Sequence, residues 1–159
     1  MIRSDHDCSD IFEGFTFQDL RRADPPKAKG VYVIKVAKEG EDVPEIIFQL
    51  DTVVERLDWP LLGNKVRNRI NRMDRIAGCP YIYIGAAGPS AQSKHTLFGR
   101  YRDFSGRHTA MFPIWALLYF GWELEYGYLE SKDAGELEKR IKILYKQRHA
   151  GGVPALVYR

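Results

Sequence analysis

Cysteine is scarce in this 159-residue chain, with Cys8 and Cys79 the only two. Neither has a CxxC neighbour, so the count excludes a disulfide framework and the sequence predicts no zinc site. Long apolar runs are also missing: nothing approaches the roughly 20 residues of a membrane span. The opening residues, with Arg3, Asp5, His6 and Asp7, lack the apolar core of a secretory signal. No membrane partner is expected, and cytoplasm is the expected compartment. Repeats, low-complexity tracts and long linkers are absent too, so residues 1–159 are read as one domain, with 1–27 as an N-terminal extension. Neither charge sign dominates: 24 basic against 21 acidic residues give +3 and a pI near 8.8. At 45% hydrophobic and 28% charged, the composition is that of an ordinary globular chain with a real core.

The cations that are present are clustered. Arg67, Arg69, Arg72 and Arg75 fall in one stretch, and Lys94, Arg100, Arg102 and Arg107 in another. Clustered cations gain from counterion release when they meet a polyanion, whereas scattered ones do not. The alternative for either cluster is a solvated helix face.

Periodicity and punctuation suggest the elements. Thr16–Leu20 reads as a helix start with Thr16 as N-cap, ended by Asp24-Pro25-Pro26. Gly30 to about Ala37 reads as a strand, and residues 45–50 as a strand returning from a hairpin. After Trp59-Pro60, the apolar residues Leu62, Val66, Ile70, Met73 and Ala77 recur at helical spacing over 61–77, with Lys65, Arg69 and Arg72 to one side. Tyr81–Gly85 reads as a second strand, and Thr96 as the N-cap of a helix carrying Arg100. The run 114–120 fits helix or strand, and 122–130 alternates as a strand. Asp133 and Glu136 form a capping-box pattern for a last helix whose stripe is Leu137, Ile141 and Leu144. Glu138 sits beside that stripe, where a carboxylate is costly unless paired, protonated or metal-bound.

Two strings stand out, Gly30-Val31-Tyr32 and Tyr83-Ile84-Gly85, each inside a strand-like run. With Arg100 and Glu138 downstream, they supply two phenols, a guanidinium and a carboxylate, a minimal kit for metal-assisted cleavage of a phosphodiester. In this order, the elements resemble the GIY-YIG nuclease family over residues 28–157. The first string has valine for isoleucine and the second is unaltered. Arg100 resembles the family's helix arginine and Glu138 its metal-binding glutamate.

The resemblance implies an α+β fold, a small and mostly antiparallel sheet flanked by helices. A strand-plus-helices insertion, 38–79, separates the motif strands. It implies a metal-dependent endonuclease acting on DNA, with RNA as a further possibility, using Mg2+ or Mn2+ held by Glu138. Arg100 would neutralise a phosphate oxygen in a geometry lysine does not copy. Tyr32 would take a proton from water, which requires a neighbouring cation or the metal to depress its pKa from about 10. Tyr83 would orient the water or phosphate, and His108 would stand in for a helix residue that is Phe104 here. Lys65, Arg69, Arg72, Lys94, Arg102 and Arg107 are the expected nucleic-acid contacts. Cutting both strands with one site per chain suggests a homodimer or two sequential nicks. Val157 occupies the place of an expected asparagine in Pro154-Ala155-Leu156-Val157. That supports an alternative reading, a nucleic-acid-binding module that keeps the fold without cleaving. A protein-interaction domain with a relic site is a third.

Overall fold

The structure, a computed structural model, describes residues 8–76 and 78–157. Arg3, Asp5, His6 and Asp7 of the polar opening, and Ala77 and the Leu62 side chain of the expected stripe, lie outside the described residues.

Four strands, Thr16–Asp19 (β1), Gly30–Lys38 (β2), Tyr81–Ala87 (β3) and Glu123–Glu130 (β4), form one antiparallel sheet in the order β1-β4-β2-β3. The helices are Val43–Arg56 (α1), Pro60–Ile70 (α2), Leu97–Asp103 (α3), Met111–Tyr119 (α4) and Ala134–Arg148 (α5). The fold is therefore α+β.

Period-two alternation in β2 sends Tyr32, Ile34 and Val36 to one face and Val31 and Val33 to the other. The first face packs on Ile46 and Leu50 of α1, Ile70 of α2 and Leu117 of α4. The second packs on Ile141 and Tyr145 of α5 and on Phe12. With both faces covered, this strand is apolar almost throughout.

Several elements differ from expectation. Thr16–Asp19 is a strand, not a helix start: Phe17 pairs with Gly127, where an added Cβ would come within 2.4 Å of the Phe17 ring. The missing side chain gives that ring its place, and pairing with β4 satisfies the backbone. Residues 45–50 belong to α1, not to a returning strand. Val43, Ile46, Leu50 and Val54 are buried at helical spacing, Pro44 sits in the first turn, and Phe48, on the other side, is 68% exposed. β2 and β3 are hydrogen-bonded neighbours, and among the described residues the segment between the motif strands is a helical excursion without a strand. Its second helix ends at Ile70 and continues as a 3₁₀ turn, Asn71–Arg75.

The 114–120 run is helical through Tyr119 in α4, with Phe120 as its C-cap. On α5 the capping box does not form: Asp133 makes no side-chain cap bond, and Glu136 pairs with Lys139 at 2.7 Å. The stripe is rotated from the expected one, burying Ala134, Ile141 and Tyr145 and leaving Leu144 42% exposed. Thr96 does cap α3, accepting from the Gly99 N–H at 3.1 Å. No helix among the described residues is long and apolar enough to cross a membrane.

Candidate active site

A β-bulge sets the geometry. Ile34 pairs with Tyr83 and Lys35 with Tyr81, so Ile82 is an extra residue on β3. Regular alternation would put Tyr81 and Tyr83 on one face. The bulge instead leaves Tyr81 in the core under α5 and turns Tyr83 onto the face of Tyr32. Their rings stack with centroids 5.8 Å apart, and Tyr126 stacks on Tyr32 at 5.6 Å. Gly85 completes the seat, since a Cβ there would lie 2.6 Å from Tyr32 Cζ.

On α3, Arg100 directs Nη1 to Asp103 Oδ2 at 3.3 Å, and its Nε is buried with no hydrogen-bond acceptor among the described residues. The Asp103 carbonyl accepts from the N–H groups of both Arg107 and His108 at 2.8 Å. That tight return brings the His108 ring onto Phe104, 4.0 Å between centroids. Phe104 thus serves as a platform for an imidazole supplied four residues later.

Tyr32, Tyr83, Arg100, His108 and Glu138 all line one cleft of about 270 Å³, with Asp103, Arg107 and Thr109. Glu138 comes from α5, on the opposite face from Tyr32. Gly85 and Ala86 both line the cleft, although successive strand residues point to opposite faces, so the cleft straddles the outer edge of β3. The Glu138 side chain is 19% exposed, and its carboxylate accepts from Lys142 Nζ at 2.6 Å.

The hydrogen bonds have a direction. His108 Nδ1 accepts the Ala110 N–H at 3.0 Å, so the ring proton sits on Nε2, which donates to Tyr32 Oη at 3.1 Å. The Tyr32 proton is then the one shared with Tyr83. Burial raises the Tyr32 pKa well above 10, the neighbouring phenols Tyr83 and Tyr126 add to this, and Arg100 opposes it more weakly. Burial likewise raises Tyr83. At neutral pH both are phenols, so Tyr32 does not serve unaided as the proton acceptor that the resemblance implies. Burial, with Arg100 behind it, lowers His108 from 6.5 to about 4, keeping the ring neutral.

That depression has a sign. The folded pKa lies below the unfolded one, so the contribution to stability is complete above pH 6.5 and is lost as pH falls towards 4. The loss is at most about 3 kcal/mol. Urea titrations from pH 7 to 4 should show it in wild type and a flatter profile in His108→Asn; identical profiles would remove His108 as the cause.

One half-buried carboxylate in a cleft open to water suits a hard divalent cation that keeps most of its own waters. Glu138 would hold it, in competition with Lys142. The acceptor-poor Arg100 guanidinium suits an anion beside it.

The expected nucleic-acid contacts are scattered. Arg107 lines the cleft. Lys94 and Arg102 are exposed near α3, the latter over the Phe98 ring at 6.0 Å. Lys65 is exposed on α2, outside the cleft, whereas Arg69 and Arg72 are half-buried, each with Nη1 withdrawn from solvent. A second groove, about 680 Å³, is lined by Arg75, Lys142, Lys146 and Val157. Sequence reasoning passed over Lys142 and Lys146, although Glu138, Lys142 and Lys146 recur every four residues on one helix line. No family model, curated protein or solved structure matches the chain.

Proposed function

We propose that this chain is a metal-dependent endonuclease of the GIY-YIG type, hydrolysing phosphodiester bonds in DNA. The convergence of Tyr32, Tyr83, Arg100, His108 and Glu138 on one cleft from five separate parts of the fold carries the reading. A phosphodiester needs charge neutralisation at phosphorus and a positioned water, and these groups supply both.

Arg100 binds a non-bridging oxygen. Tyr83 accepts a hydrogen bond from the Tyr32 hydroxyl and turns its own O–H to the cleft, where it orients the phosphate or water. Tyr32 and His108 hold that orientation. Mg2+ or Mn2+ at Glu138, when bound, supplies neutralisation at the phosphate and the leaving 3′ oxygen. Cutting both strands requires a homodimer or two successive nicks.

Supercoiled plasmid incubated with Mg2+ or Mn2+, beside a chelator control and an RNA arm, tests the reading. Metal-dependent nicking or linearisation supports it. Binding without cleavage under every metal favours the non-cleaving module instead, a reading that Val157, buried beside the second groove, supports.

The second groove continues from Glu138 through Lys142 and is the proposed path of the strand beyond the cleft. Arg75→Glu with Lys146→Glu should weaken DNA binding and reduce the slope of log affinity against log salt by about 2, at roughly 0.9 per lost phosphate contact. An unchanged slope would take the path off this groove.

A further inference from the structure

The fold brings together three side chains that the cleft does not use. Cys8 precedes the 3₁₀ turn Ser9–Phe12, Cys79 lies in the loop entering β3, and His149 follows the last turn of α5. Their Sγ, Sγ and imidazole nitrogen atoms all lie within 4.8 Å of one another. Both cysteines are free thiols and buried, and they belong to the core between the sheet and α5.

The histidine is oriented as a ligand. His149 Nδ1 lies 2.7 Å from the Tyr145 carbonyl oxygen, which can only accept, so Nδ1 carries the proton. Nε2 then presents its lone pair, and it is this nitrogen that lies 3.6 Å from Cys8 Sγ. A backbone carbonyl fixing the far nitrogen is the usual device that orients a metal-ligating imidazole. The ring is also stacked on Tyr145, centroids 3.9 Å apart, which restricts its rotation. Ordinary zinc–sulfur and zinc–nitrogen bond lengths at a tetrahedral angle imply an S···N separation of about 3.6 Å.

We propose that Cys8, Cys79 and His149 form a binding site for a soft divalent cation, with Zn2+ the best fit. Two thiolates and an imidazole select such an ion over Mg2+ or Ca2+. Three protein ligands leave a fourth position for water. The site staples the start of the described chain and the β3 loop to the end of α5, beside the Arg148–Asp10 ion pair that joins the same two ends. It is separate from the cleft in place and in donor chemistry, and it stands whether or not the chain cleaves DNA.

Cobalt reports the site directly. The full chain, reduced and stripped with chelator, should take up one Co2+, giving thiolate-to-metal charge-transfer absorption and the intense visible bands of tetrahedral cobalt, both abolished by Zn2+. Zn2+ should also raise the melting temperature of the stripped protein by several degrees, because it binds the folded state alone. His149→Gln and Cys79→Ser should each weaken Co2+ binding by about a hundredfold or more and lose the Zn2+-dependent shift. His149 is half-buried at a helix end, so His149→Gln is the variant that should keep the fold, with a melting temperature near that of stripped wild type. Absence of the bands in reduced wild type, or bands that persist in both variants, would overturn the assignment. Cys8–Cys79 disulfide formation in air with no cobalt uptake under reductant would overturn it as well.

Discussion

Glu138→Ala should lower DNA cleavage by about a thousandfold or more while leaving DNA affinity nearly unchanged. In the proposed reaction Glu138 is the carboxylate that would hold the divalent cation, and Asp103, which also lines the cleft, is committed to Arg100 at 3.3 Å. Its loss removes charge stabilisation that the transition state needs and the ground state does not, so kcat should fall and KM should not. Any small change in binding should be a tightening, since Lys142 loses its partner at 2.6 Å and faces the second groove. The cost to folding is small, because the lost contact is an i,i+4 helix pair worth about 0.5 kcal/mol. Cleavage of plasmid under single-turnover conditions, with binding by anisotropy and melting by circular dichroism, separates these effects. Full activity in Glu138→Ala would move the metal elsewhere; Glu138→Gln, which keeps size and removes charge, should be as inactive as the alanine variant.

How much of this was legible in the sequence varies by element. β2 and β4 were: β2 is a short β-branched apolar run and β4 a clear alternation, and turn residues bound both. α1 was not: Ile46-Ile47 is a β-branched pair whose local preference is strand, and the helix is decided by tertiary burial of Val43, Ile46, Leu50 and Val54. The β1 segment imitates a helix start, with a threonine followed three residues later by an acid, while the deciding contact, Phe17 on Gly127, spans 110 residues.

The residues that line the cleft are legible in the sequence as types in order, but their packing is not. Nothing local announces the bulge at Ile82 that turns Tyr83 to the cleft and keeps Tyr81 in the core. Nor does sequence show that burial holds Tyr32 protonated, because that follows from Tyr83, Tyr126 and Phe104 packing around one ring. The cysteine pair lacks a CxxC spacing, but that rule describes local zinc modules and says nothing about ligands gathered from 141 residues apart.

Arg100→Lys should reduce cleavage by about a hundredfold, and Arg100→Ala by about a hundredfold to a thousandfold, the range for losing one donor aimed at developing charge. Lysine keeps the charge but not the planar fork, so the difference between the two variants separates charge from geometry. A second readout distinguishes a cleft-forming role from a merely structural one. Arg100 opposes protonation of His108, whose pKa is about 4, and it also favours ionisation of Tyr32. Removing the charge in Arg100→Ala should therefore raise both pKa values: His108 becomes easier to protonate, and Tyr32 harder to ionise. Arg100→Lys should hold His108 close to its wild-type position. Imidazole proton titrations by NMR read the first shift, and the acid limb of the cleavage profile should follow it upward. If His108 titrates identically in all three proteins, the guanidinium does not share the cleft's electrostatics. Wild-type cleavage by Arg100→Lys would show that a point charge suffices at this position.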